Sequence, residues 1–150
     1  MPLVAVLRKY LLAVICFGIV GTGGELLLLG HYDGYWQLTP VVLLGVGQLM
    51  ICWHLLDRRP RSLRSLRAVM VLFLFAGVIG LVQHFNGNAA FEREMTPEIG
   101  GFDLVVESLT GATPALAPGA MVQLGLLGLL YTFRHPGLVA PGTEYPQPLE

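Results

Sequence analysis

Apolar residues in this chain come in long blocks that carry no polar stripe of period 3.6, and short charged or aromatic stretches separate them. The blocks run over 10–30, 38–56, 68–85 and 115–133. At about 1.5 Å of rise per residue each can cross a hydrocarbon layer of about 30 Å as a helix. Segments such as VVLLGVGQLMICWHLL and VMVLFLFAGVIGLV are apolar on all sides, which argues against a soluble helical bundle, whose helices keep one polar face. The pattern therefore predicts an all-α integral membrane protein with four transmembrane helices in an up-down bundle.

The connections refine this expectation. HYDGYWQ and DRRPRSLRSLR are short, making successive spans antiparallel neighbours, whereas 86–114 is a sizeable loop. Within that loop TPEIGGFDLVVESLTGATP reads as a short surface amphipathic helix between the third and fourth spans. Its apolar face holds Phe102, Val105, Val106 and Leu109, and its polar face Asp103 and Glu107. Residues 1–136 read as one transmembrane domain, and the Pro- and Gly-rich 137–150 as a disordered tail. Arg8 and Lys9 before YLLAVICFGIV also resemble a signal peptide. A second apolar run, LLLLG, follows, so the segment is expected to stay as a span.

Composition agrees with the pattern: 54% of the 150 residues are hydrophobic and 13% are charged, against about 25% charged in soluble domains. The two cysteines, Cys16 and Cys52, lie inside apolar blocks without metal-ligand spacing. The net charge of −1 conceals a segregation. Arg8, Lys9, Arg134 and the cluster Arg58, Arg59, Arg61, Arg64 and Arg67 fall on one side of a four-span chain, leaving Arg93 opposite. The positive-inside rule puts that side, with both termini, in the cytoplasm. The arginine run is read as an orientation signal resting on lipid headgroups, with no nucleic acid as partner. Tyr32, Tyr35 and Trp36 at one level and Tyr10, Trp53 and Tyr131 at the other fit two interfacial aromatic belts.

Small residues mark where helices approach in lipid. Gly18 with Thr22, Ala76 with Gly80, Gly125 with Gly128 and Gly45 with Gly47 are the expected packing positions. Pro118 is expected to kink the fourth span near its outer end.

Candidate chemistry starts at Glu25, a carboxylate inside the first apolar block. An ionisable group at such depth faces a partner or a water-filled pocket, unless the segment is interfacial and Glu25 meets headgroup water. With His31, His84, Glu92 and Glu94 it defines an outer His and carboxylate cluster of the kind that binds a divalent metal or relays protons. His54 and His135 lie at the inner level, so the four histidines form two layers. Facing histidines also suit haem, a lesser alternative, because His31 and His135 lie outside the apolar blocks. No nucleophile elbow, P-loop or dinucleotide fingerprint is present, and the sequence requires no cofactor.

GTGGELLLLGHY (21–32) and GATPALAPGAMVQLGLLGLLYTFRHP (111–136), with HFNGN and FEREM between them, resemble an uncharacterised family of small bacterial four-span inner-membrane proteins. The resemblance covers most of the chain. It implies a bacterial inner membrane and the same arrangement of spans, and it carries no activity and no functional residue. The function expected from these observations is a non-enzymatic one exercised through protein contacts, as accessory subunit of a membrane complex or as a homo-oligomer. The alternative is ion, metal or proton handling at the outer cluster.

Overall fold

The structure is a computed structural model that describes residues 3–111 and 113–138. It is helical throughout: α1 (Leu3–Leu28), α2 (Tyr35–Leu56), α3 (Pro60–Met95), α4 (Gly101–Thr110), α5 (Gly119–Thr132) and a 3₁₀ turn, Pro136–Leu138. No strand occurs among the described residues. From residue 139 onward, the tail expected to be disordered lies outside them.

Helices α1, α2 and α3 are long and apolar enough to cross a membrane, whereas α5, with 14 residues, is a shorter apolar helix. α1 packs on α2 and α5, and α3 packs on α2 and α5, which closes an antiparallel ring of four helices. α4 packs on α3. Ile15 and Ile19 of α1, Leu44 and Ile51 of α2, Leu66, Met70 and Phe73 of α3, and Leu124 of α5 fill the centre.

Local chemistry sets the boundaries. α1 ends in a Schellman motif: Gly30 adopts φ 66°, and the N–H groups of Gly30 and His31 donate to the carbonyls of Leu27 and Leu26. A residue with a Cβ would be strained there. Gly34, at φ 106°, finishes the turn into α2.

Two boundaries differ from the sequence expectation. α3 does not end near Phe85; it continues to Met95. The run AAFEREM consists mostly of good helix formers, and Asn88 and Ala89 are buried under α4. The helix stops at Thr96, before Pro97, because the residue preceding a proline is pushed out of the helical region. The fourth apolar block, 115–133, is helical only from Gly119. Pro114 and Pro118 restrict Thr113 and Ala117 in the same way. The backbone between them is a ribbon of tight turns, with Ala117 N–H donating to Pro114, Gly119 N–H to Leu116 and Ala120 N–H to Ala117.

α4 forms where expected. Leu104 and Ser108 are its buried residues, while Phe102, Val105, Val106 and Leu109 form an exposed apolar stripe. It lies on α3 by one face and offers its most apolar face outward.

Glycines set how closely the helices approach. A methyl group at Gly125 would lie 2.8 Å from the Met70 carbonyl oxygen, and one at Gly77 2.8 Å from the Val122 backbone nitrogen. Gly128 lies directly over Met70, Gly80 over Pro118, and Gly18 over Leu124. Phe73 packs onto Gly47, whereas Gly45 faces open space. Thr22 and Ala76 are half-buried. Gly77, which the sequence pattern did not single out, lies against the backbone of Pro118 and Val122 at the start of α5.

Candidate functional site: two histidine layers

The antiparallel ring gathers the four histidines in two layers, one at each end of the bundle. At the end that holds the arginines, the start of α3 brings Ser62 beneath His54 of α2, and the end of α5 brings Tyr131 beside it. His54 is 5% exposed, with Nδ1 3.2 Å from the Ser62 hydroxyl and Nε2 2.8 Å from the Tyr131 hydroxyl. Ser62 has one hydroxyl proton, and it points at the carbonyls of Asp57 and Arg59, 2.5 and 2.9 Å away. The serine oxygen is therefore the acceptor for Nδ1–H of His54, and the Tyr131 O–H donates to Nε2. Both ring nitrogens are engaged, so His54 has no lone pair to offer an iron while this network holds.

His135, just beyond α5, stacks against both rings, its centroid 5.8 Å from His54 and 5.3 Å from Tyr131. Its Nδ1 accepts the Gly137 N–H at 3.1 Å. Burial first, then the charges of Arg8 and His54, hold its pKa below the ordinary histidine value. One guanidinium nitrogen of Arg8 donates to the carbonyls of Phe133 and Arg134, at 3.1 and 3.0 Å. That places a cation on the carbonyls that leave α5, where the helix dipole favours it. Arg134 takes the unusual φ of 44° at this point.

The other arginines stand outside the bundle. Arg58, Arg59, Arg61, Arg64 and Arg67 are all exposed. Asp57 pairs with Arg59 at 3.2 Å and Arg61 at 2.9 Å. Its carboxyl is held below the usual range chiefly by the Arg61 hydrogen bond.

At the opposite end, where the α1–α2 turn lies, His31 and His84 face each other with ring centroids 6.3 Å apart. His84 donates Nδ1–H to the Pro114 carbonyl at 3.0 Å, which turns the lone pair of the neutral ring to Nε2. A histidine backed by a carbonyl in this way is oriented as metal-ligating histidines are. His31 lies in the turn, beyond the end of α1; burial first, then His84, keep its pKa low.

One turn further along α3, Asn88 is 4% exposed and ties the α4–α5 connection to the bundle. Its amide donates to the carbonyls of Ser108 and Thr113 at 2.9 and 2.6 Å and accepts the Thr113 N–H at 3.2 Å.

The structure thus brings His31 and His84 together but does not gather the rest of the outer cluster with them. Glu25 is exposed on the last turn of α1, Glu94 is exposed near the end of α3, and Glu92 is half-buried. None of these carboxylates forms a hydrogen bond or ion pair among the described residues, and no three His, Cys, Asp or Glu side chains there converge to hold a metal. Sequence reasoning missed Ser62, Asn88 and the capping role of Arg8. It took Tyr131 for a belt residue. The signal at hand was a polar side chain in an otherwise apolar helix face, as at Ser62 and Asn88. No family model matches the chain, and no curated protein or solved structure does either.

Proposed function

We propose that the chain is a small four-span membrane protein that works through protein contacts, as accessory subunit of a membrane complex or as a homo-oligomer. Its arginine end is assigned to the cytoplasm by the positive-inside rule, and the resemblance of the sequence to small bacterial four-span proteins makes that membrane a bacterial inner membrane. The short α5 is compatible with a fourth crossing because the ribbon of turns precedes it. At about 2.0 Å per residue for the turns and about 1.5 Å for the helix, 114–132 reaches about 31 Å.

The observation that carries the contact reading is an apolar groove of about 490 Å³ on the flank of the bundle, between α3 and α5. Leu81, Leu116, Val122, Leu126, Leu127 and Leu130 line it. In the interior, by contrast, every buried side-chain nitrogen or oxygen among the described residues has a partner. What this molecule offers is a surface. Purification in several mild detergents, with cross-linking in membranes beforehand, tests the reading; a companion-free monomer under all conditions overturns it.

A second reading, metal or proton handling, is favoured by the His31–His84 pair, in which Nε2 of His84 makes no hydrogen bond among the described residues. Titration of wild type with Zn²⁺ or Cu²⁺ beside His31→Gln and His84→Gln separates the two. Binding that both variants retain, or that wild type lacks, removes it. The same purified protein tests the lesser haem alternative by its visible spectrum.

A further inference from the structure

The groove between α3 and α5 carries a polar group that meets no partner among the described residues. Gln123 lines it and is exposed, with no hydrogen bond among the described residues. Two other glutamines lie in the apolar blocks and both differ: Gln83 is half-buried, two residues from the end of the 68–85 block and next to His84. Gln48 is half-buried and satisfied from within, its amide 3.2 Å from the Cys16 sulfur and 4.0 Å from that of Cys52. Counting the turns from Pro114 at about 2.0 Å and the helix from Gly119 at about 1.5 Å per residue puts Gln123 about 16 Å along the crossing, near its midpoint. An amide at that depth gives up water and gains nothing from lipid tails.

Gln123 is also part of a regular seam. Within α5, Gly119, Gln123, Leu126 and Leu130 follow one another at steps of four, three and four residues, the spacing that keeps one face of a helix against a partner helix, with Leu116 of the preceding turns lining the same groove and Phe133 just past the helix end. All six sit outside the core of their own chain, with Leu116, Leu126, Leu130 and Phe133 exposed at 70%, 56%, 59% and 58%. A Cβ at Gly119 would meet nothing within 4 Å, so another backbone can come close there.

We propose that this seam is a self-association face, and that a second copy of the chain occupies it with Gln123 paired to Gln123 across a two-fold axis. The inference rests on the contact reading above and names its partner. Two copies in one membrane share an orientation, so a two-fold axis along the membrane normal sets equal heights of α5 face to face. A glutamine amide has both donor and acceptor, so two of them close a pair of hydrogen bonds with no third group. A single polar residue at such a seam fixes register and partner number. Lipid tails and an unrelated apolar helix fill the leucine face equally well, and neither answers the amide.

Disulfide trapping in native membranes tests this. In a Cys16→Ala, Cys52→Ala background, Leu126→Cys and Leu130→Cys place thiols in the seam, while Phe17→Cys and Leu49→Cys place them on the exposed faces of α1 and α2. Mild oxidation is expected to give dimers from the two seam positions and none above background from the others. Adding Gln123→Leu, which leaves an apolar side chain facing lipid, is expected to weaken association about tenfold, with thermal unfolding of the monomer unchanged. Trapping at Phe17 or Leu49 alone overturns the face and leaves the contact reading standing. Seam cysteines that link to a protein of different mass overturn the second copy and also leave that reading standing. A dimer yield that Gln123→Leu does not lower overturns the amide pairing. No trapping anywhere, together with a companion-free monomer, overturns both.

Discussion

The two ends of the bundle hold two histidines each and use them in opposite ways. At the arginine end, His54 is locked between the Ser62 and Tyr131 hydroxyls, so the network runs without a gap from α5 through α2 to the start of α3. At the turn end, the closure is made by Asn88, and the histidines stand beside it with His84 engaged on one nitrogen only. A fully matched network fixes the packing of the helices and makes each member expensive to lose. A half-matched pair leaves a ring nitrogen to answer protons or ions.

The sharpest way to break this contrast is His54→Ala. It leaves the buried Tyr131 hydroxyl without its acceptor and opens a cavity, for a loss of about 3–4 kcal/mol in reversible unfolding in detergent. Tyr131→Phe should cost about 1–2 kcal/mol, since one hydrogen bond goes and Nε2 is left bare. The double variant is expected to lose less than the sum, because the two residues share a bond. Strict additivity would show that the network does not act as one.

Asn88→Ala is the counterpart at the turn end, with an expected loss of about 2–3 kcal/mol from the three hydrogen bonds it makes. The effect should be local. α4 and the ribbon of turns come away from α3, so protease cleavage between 96 and 118 should rise before the bundle itself unfolds. Equal protection of that segment in wild type and variant would put the closure elsewhere.

Acidification acts on both ends in the same direction. The folded pKa of His31 lies below the ordinary value of about 6.5, owing to burial first and His84 second. Between that lowered value and about 6.5 the unfolded chain binds more protons, so this contribution is complete above about pH 6.5 and is lost as pH falls through the window. His135 adds a share of the same sign at the arginine end, through burial, Arg8 and His54. Unfolding measured from pH 7.5 to 5 should therefore slope downward, less steeply in His31→Gln and less again in His31→Gln with His135→Gln. A slope untouched by both substitutions would contradict the assignment.

How much of this was legible in the sequence follows from range. The three long apolar helices were read from runs of apolar residues, and α4 from its own periodicity, because both signals lie within one element. The two histidine layers followed once the crossings were counted. The boundaries of α3 and α5 slipped because the burial of Asn88 under α4 and the docking of Pro118 on Gly80 are tertiary facts that no local window contains. His54 and Tyr131 are 77 positions apart and Arg8 and Phe133 125 apart, and nothing periodic links such pairs. Small residues were easier to find than their contacts: Gly125 and Gly45 look alike in sequence, yet one meets a backbone carbonyl and the other open space.

Glu25 has the smallest expected effect, although it was the first residue of the sequence to ask for an explanation. It stands on the last turn of α1, exposed and without a hydrogen bond or ion pair among the described residues. α1 closes three residues later at Leu28, so the side chain is within one turn, about 5 Å, of the helix end. In the proposed four-span arrangement that is within reach of the headgroup layer, where a carboxylate can be solvated without a partner. Glu25→Gln should then change unfolding by no more than about 0.5 kcal/mol, and it should leave the acid slope set by His31 as it was. A loss of several times that size would show that Glu25 meets a charged or polar group in the assembled protein. Since its own chain supplies none among the described residues, that group would lie on another chain, and the turn end would become a second contact surface.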